Sequence, residues 1–334
     1  MVYQPKYFKG WSQVAFPAGK QSYTVAIAWW LAQCSQLAYE NKITVATELK
    51  QAGFEQIAFF DAGGTQAFLA THPGVNTGGK FAILAFRGTE QDSIDILTDI
   101  NFVKRLFPNE NLVEAEPQTV KATQKSPKKT ASFYAHGGFL EGIYNVWGSA
   151  LSQDIQSLYP EGKVEWKGTA GISEAINDLA ADLPLYLTGH SLGGALATLA
   201  AYKALVYRQV TGLYTFGSPR VVQQPLAEAI NADLAGRLHR VVNHNDVVPR
   251  LPPRLPPILD FHHVEQLVYF TKLRKHKHMT ITNIVLSDTG VLALAFLEII
   301  LALISFKRYI PRTILNHRIA EYVKDIEREL SLTA

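Results

Sequence analysis

The stretch Leu183-Pro184-Leu185-Tyr186-Leu187-Thr188-Gly189-His190-Ser191-Leu192-Gly193-Gly194-Ala195 decides the fold. Leu183–Thr188 is an almost unbroken apolar run, the pattern of a strand covered on both faces. From Leu192 to about Leu205 the chain is rich in Ala and Leu, so a helix is expected there. Between them lies Gly-X-Ser-X-Gly. A strand that passes at once into a helix through this pattern forces the serine into a strained, exposed turn. Gly189 and Gly193 fit because side chains at those places would collide with the neighbouring strand and helix. The free N–H groups at the start of the helix suit a developing oxyanion. The competing reading is a glycine-rich turn that binds a phosphate, but no Gly-X-X-X-X-Gly-Lys-Ser/Thr pattern occurs in the chain. Ser191 is therefore the candidate nucleophile.

Further runs extend this pattern in both directions. Gln56–Phe60 and Gln66–Thr71 read as strands joined by a hairpin at Gly63-Gly64. Lys80–Arg87, Leu213–Phe216 and Leu238–Val242 are also apolar and strand-like, and Ser22–Glu40 has helical spacing. Trp29-Trp30 could anchor to a membrane, but core packing is the plainer expectation. Strands alternating with helices indicate an α/β protein with a mostly parallel central sheet flanked by helices. One domain over residues 1–334 is expected, with a core at about 22–270 plus 307–330 and an apolar helical insertion at about 281–306. Asn109–Thr130 is polar and basic and reads as a long surface excursion.

The net charge of +3 is too small for a nucleic-acid binder. One cysteine, Cys34, excludes an intrachain disulfide and suits a reducing compartment. The first ten residues lack the apolar core and cleavage site of a secretory signal. An intracellular, cytoplasmic protein with peripheral membrane association is the expectation.

A serine hydroxyl needs a base, and the base needs an orienting carboxylate. When the serine sits on such a turn, acid and base follow it in that order. Asp246, just past Leu238–Val242, is the favoured acid, with Asp260 as the alternative. Five histidines follow: His262, His263, His276, His278 and His317. The run Lys272–His278 reads as a basic, solvated or lipid-facing patch, and His262 and His263 as structural. Position favours His317, at the start of a late amphipathic helix.

The chain resembles the class 3 lipases, the fungal triacylglycerol lipase-like group of the α/β-hydrolases. Six pieces carry the resemblance: Phe86-Arg87-Gly88-Thr89, His136-Gly137-Gly138-Phe139, Gly189–Ala195, Phe216-Gly217-Ser218-Pro219-Arg220, Asn245-Asp246-Val247-Val248-Pro249 and Asn316-His317-Arg318. The resemblance implies the α/β-hydrolase fold, a catalytic triad of Ser191, Asp246 and His317, and an oxyanion hole from Thr89 and Leu192. It implies no metal and no organic cofactor, with acylglycerol, phospholipid or galactolipid as substrate. Ser93–Phe102 stands where those lipases carry a lid helix, without their lid tryptophan. The implied activity is ester hydrolysis. An acyltransferase using the same acyl-enzyme and a non-catalytic lipid-binding protein are the alternatives.

Val291–Phe306 is the least globular stretch. As a helix it would reach roughly 24 Å, short of the roughly 20 residues that a span prefers. Glu298 near its middle would cost about 2.5–3.5 kcal/mol at a bilayer centre. A single crossing between Asp246 and His317 would also part acid from base, so a span is rejected. Packing as an extra core helix, or dipping into one leaflet beside flanking basic residues, remain.

Overall fold

The computed structural model describes residues 6–89, 104–107, 133–148, 171–254, 260–264, 266–270, 276–278 and 312–333. The expected lid Ser93–Phe102, the excursion Asn109–Thr130 and the apolar Val291–Phe306 lie outside the described residues.

Among the described residues twelve strands form two sheets. They are β1 (Gln56–Ala62), β2 (Thr65–His72), β3 (Phe81–Phe86), β4 (Lys104–Leu106), β5 (Tyr134–His136), β6 (Leu185–His190), β7 (Gly212–Phe216), β8 (Val222–Gln223), β9 (Leu238–Asn243), β10 (Phe261–His262), β11 (Leu267–Phe270) and β12 (His276–His278). The main sheet has the order β1-β2-β3-β6-β7-β9-β11-β12, and β3 through β11 within it are parallel. All residues of β3, β6, β7 and β9 are buried, as an apolar run covered on both faces requires. The hairpin between β1 and β2 turns through Gly63 and Gly64 at φ 56° and 79°, left-handed values that glycine adopts without strain.

Among the described residues eight α-helices accompany the sheets: α1 (Val25–Leu37), α2 (Lys42–Gln51), α3 (Gly137–Trp147), α4 (Ile172–Leu179), α5 (Leu192–Ala204), α6 (Gln224–Asp233), α7 (Arg312–Leu315) and α8 (Ile319–Thr333). The core has two halves. One joins α3, α4, α5 and α6 with side chains such as Leu84 and Leu187, and the other joins α1, α2 and α8 with Ile83 and Tyr186. Alternate residues of β3 and β6 thus point to opposite halves, the period-two signature of a strand between two helical layers. Trp29 and Trp30 are 2% and 0% exposed in the second half, which makes them core residues.

Two features depart from the sequence reading. His276-Lys277-His278, read as a basic patch, pairs antiparallel with β11 at the sheet edge. A second sheet, β10-β8-β5-β4, has strands of only two or three residues, too short for periodicity to register.

Lys203 shows how tightly the first half is packed. It is 4% exposed, its ammonium 4.7 Å from the Tyr144 ring centre and 5.4 Å from that of Trp147. Burial pulls its pKa down to about 8 from 10.5. The folded protein therefore carries a penalty that is complete below pH 8 and fades as pH rises from 8 toward 10.5. The cation–π contacts offset part of it. Lys203→Met is expected to raise stability by about 1–3 kcal/mol at pH 7. The gain should shrink above pH 8 when followed by urea denaturation.

Candidate active site

The register of the parallel strands brings four segments to one edge. Phe86 of β3 faces Gly189 of β6, His190 faces Phe216 of β7, and Phe216 faces Val241 of β9. The carboxyl ends of these strands therefore coincide, the place where open parallel sheets build sites. Gly88 and Thr89, Ser191, Gly217 and the segment His244–Asp246 all leave the sheet there.

Ser191 is the N-cap of α5 at φ 56° and ψ −126°, a conformation that costs a non-glycine residue about 1–3 kcal/mol. Its surroundings enforce that conformation. A Cβ on Gly189 would lie 2.2 Å from the Gly193 carbonyl, and one on Gly193 would lie 2.3 Å from the Phe86 oxygen. The Ser191 N–H donates to the Phe216 carbonyl at 2.9 Å, which ties the turn to β7. Its Oγ is buried without a hydrogen-bond partner among the described residues.

The structure joins Asp246 to His317. Nδ1 of His317 lies 2.9 Å from Oδ2 of Asp246, with the two side chains 2% and 0% exposed. Because a carboxylate can only accept, Nδ1 donates to it, and in the neutral ring Nε2 is then the acceptor. Nε2 is buried and, like Ser191 Oγ, has no partner among the described residues. Asp246 is fixed from three further directions. Its Oδ1 accepts the Val248 N–H at 2.9 Å, its Oδ2 accepts the Tyr322 hydroxyl, and Arg250 donates to its main-chain oxygen. The Tyr322 oxygen in turn accepts the Asn243 N–H at 3.1 Å. His317 occupies the short turn between α7 and α8, with its N–H on the Ile314 carbonyl at 3.0 Å. Its ring centre is 4.5 Å from that of His190, the neighbour of Ser191.

Asp260, the alternative acid, is engaged elsewhere, 2.8 Å from His262 Nε2 and 3.6 Å from Arg254. His263 contacts the Pro249 carbonyl at 2.6 Å. His136 ends β5 and stacks on Phe139 at 4.1 Å, and burial lowers its pKa to about 4. Thr89 is half-buried three residues past the end of β3, and Leu192 is the first residue of α5. Sequence reasoning missed Tyr322 and Tyr39. The signal for Tyr322 was present as an aromatic on the buried face of the amphipathic α8, but core packing explains such a residue equally well.

Gly217 decides how closely these pieces can meet. It has φ 59°, and a Cβ there would lie 2.8 Å from Asp246 Oδ2 and 2.9 Å from His317 Nδ1. Gly217→Ala is expected to cost about 1–3 kcal/mol of stability. It should also lower turnover about 100-fold by displacing that pair, as ester kinetics and denaturant unfolding would record.

The family described as Lipase (class 3) matches residues 83–255, just over half of the chain. The chain belongs to the class 3 lipases. The matched region holds Thr89, Ser191 and Asp246, while His317 lies beyond it and is brought in by α7 and α8. Among solved structures, the triacylglyceride lipase of Rhizomucor miehei is 19% identical with a TM-score of 0.51, over 75% of this chain and 82% of that one. That likeness is one of fold, the α/β-hydrolase fold. Curated relatives match over shorter stretches. A secreted mono- and diacylglycerol lipase of Fusarium solani is 46% identical over 71 residues, covering 20% of either chain. A chloroplastic phospholipase A1 of Arabidopsis thaliana is 41% identical over 91 residues, 24% of this chain and 17% of that protein. The chain thus spans about a fifth of the length of the curated relatives that it matches.

The expectation of a cytoplasmic protein is corrected by the Fusarium solani relative, which is named as secreted. The physical reason is that disulfides are a need of small domains with poor cores. This chain buries two extensive core halves, so its single buried cysteine says little about its compartment. Among the described residues no helix is long and apolar enough to cross a membrane.

Proposed function

We propose that this class 3 lipase is a serine-dependent carboxylic-ester hydrolase acting on acyl esters of glycerolipids, with Ser191, Asp246 and His317 as its triad. The observation that carries the reading is the buried Asp246–His317 hydrogen bond beside a strained Ser191 at a strand-to-helix turn. Ser191 Oγ attacks the ester carbonyl carbon while His317 Nε2 takes the hydroxyl proton. The oxyanion is held by the N–H of Leu192 at the start of α5 and by Thr89. Asp246 keeps the proton of His317 on Nδ1 and balances the imidazolium charge. Collapse of the intermediate breaks the ester C–O bond, and His317 returns the proton to the leaving alcohol. Water, deprotonated in turn by His317, attacks the acyl-enzyme and releases the fatty acid and Ser191.

Contact of the apolar Val291–Phe306 with a lipid surface belongs to the same proposal. It is supported by the residue pattern and by Lys307-Arg308 beside it.

The test is labelling of the purified protein with a fluorophosphonate, followed by peptide mass spectrometry. A single adduct on Ser191 is expected, formed more slowly while an excess of a short-chain ester is present. Absence of an adduct, or an adduct on another serine, would overturn the assignment.

A further inference from the structure

His190 has no part in the acyl-transfer steps, yet it is 5% exposed and touches both sides of the site. Its Nε2 lies 2.5 Å from the main-chain oxygen of His317, and its Nδ1 lies 2.8 Å from the Tyr39 hydroxyl. A carbonyl oxygen only accepts, so Nε2 must carry the proton. Nδ1 of the neutral ring is then an acceptor, and the Tyr39 hydroxyl donates to it. The carbonyl selects this tautomer, and the hydroxyl, which can donate or accept, fits it.

The neighbourhood also disfavours a charged ring. Burial and the His317 ring beside it hold the His190 pKa well below the usual histidine range. The Tyr39–His190 pair is built tightly into the turn. A Cβ on Gly88 would lie 2.1 Å from the Tyr39 hydroxyl and 2.7 Å from the His190 oxygen, which leaves glycine alone able to occupy that place.

The segment that His190 grips needs such a hold. His317 sits in a turn between α7 and α8, far along the chain from the parallel strands that carry the other parts. Asp246 orients its imidazole, and Asn243 Nδ2 donates to the Asn316 oxygen at 3.3 Å. Among the described residues, His190 is the group that ties the main chain of His317 directly to the residue before Ser191.

We propose that His190 is a positioning residue: its neutral imidazole, oriented by Tyr39, clasps the His317 main-chain carbonyl and keeps the base aimed at Ser191. The proposal rests on the reading of Ser191 and His317 as nucleophile and base. Glutamine at 190 can set an amide N–H near the place of Nε2, while asparagine reaches only the place of Nδ1. The two substitutions therefore separate the clasp from simple filling of space.

The experiment measures kcat and KM on a short-chain nitrophenyl ester, with thermal unfolding, for His190→Gln, His190→Asn, Tyr39→Phe and the double variant Tyr39→Phe/His190→Gln. His190→Gln is expected to stay within about 5-fold of the parent in kcat, and His190→Asn to fall about 100-fold with KM unchanged. Tyr39→Phe takes away the hydroxyl that holds Nδ1 of the imidazole, so it should lower kcat about 10-fold alone and less than about 2-fold beside glutamine, which has no Nδ1 to hold. Equal kcat for the glutamine and asparagine variants would overturn the clasp, as would an equal effect of Tyr39→Phe in both backgrounds. If the asparagine variant does not fold, the Tyr39→Phe comparison decides alone. Fluorophosphonate labelling of the parent distinguishes the two levels. An adduct on Ser191 with a failed comparison removes only the role of His190, whereas no adduct removes the underlying triad and this role with it.

Discussion

Ser191→Ala is expected to lower turnover of a short-chain nitrophenyl ester by about 10⁵- to 10⁶-fold, the loss that accompanies removal of an activated serine nucleophile. The unfolding midpoint should not fall. Ser191 Oγ is buried without a hydrogen-bond partner among the described residues, so its removal breaks no bond there. Alanine keeps a Cβ at φ 56°, so the strain of the turn is unchanged. Activity and stability are thereby uncoupled. A variant that kept its activity would dispose of Ser191 as nucleophile, and one that unfolded would show that the hydroxyl has an unseen structural partner. The Ser191→Ala protein should also fail to take a fluorophosphonate label.

Asp246→Asn is expected to have the next largest effect, about 10⁴-fold in kcat, for a reason that lies in proton placement. Oδ2 of Asp246 receives the His317 Nδ1 proton and the Tyr322 hydroxyl, while Oδ1 receives the Val248 N–H. Donors therefore meet both oxygens. An asparagine amide must turn its NH₂ toward one side or the other. Turned toward His317, it forces the proton onto Nε2 and removes the base that Ser191 needs. Turned toward Val248, it sets two N–H groups against each other in a buried place, at a cost of about 1–3 kcal/mol. Ester kinetics and chemical denaturation measured together separate these orientations. Loss of activity with stability intact marks the first, and a lower midpoint marks the second. Retention of full turnover would remove Asp246 from the triad.

Much of this site could be read along the chain because its parts are local. Gly189-His190-Ser191-Leu192-Gly193 carries its own reason, since a buried strand and an Ala-rich helix cannot be joined so abruptly without glycines on both sides of the serine. Asp246 was a candidate from its place after an apolar strand, and the strands themselves were legible from apolar runs covered on both faces. Asp260 could not be dismissed in that way. It too follows the serine, and only its pairing with His262 and Arg254 takes it out of contention.

His317 marks the limit of local reading. Five histidines follow Asp246, and no spacing rule relates any of them to a carboxylate many residues earlier. Resemblance to a family named His317. The hydrogen bond to Asp246 required α7 and α8 to return to the sheet edge, where α8 packs on α1 through residues such as Tyr322 and Ile326. Tyr322 is the clearest case of what a sequence conceals, because a buried aromatic on an amphipathic helix reads as core until its hydroxyl meets a carboxylate.

The sequence by itself determined the α/β class, the strand-to-helix turn at Ser191 and the candidates Asp246 and His317 that follow it, because each depends on residues adjacent in the chain or on a short repeating pattern. The tertiary structure alone decided which histidine meets Asp246, why Gly217 must lack a side chain, and that His190 reaches from the turn to the main chain of His317. Those contacts join segments that the chain keeps far apart. The physical reason is that their distances are set by strand register and helix packing, which no local pattern encodes.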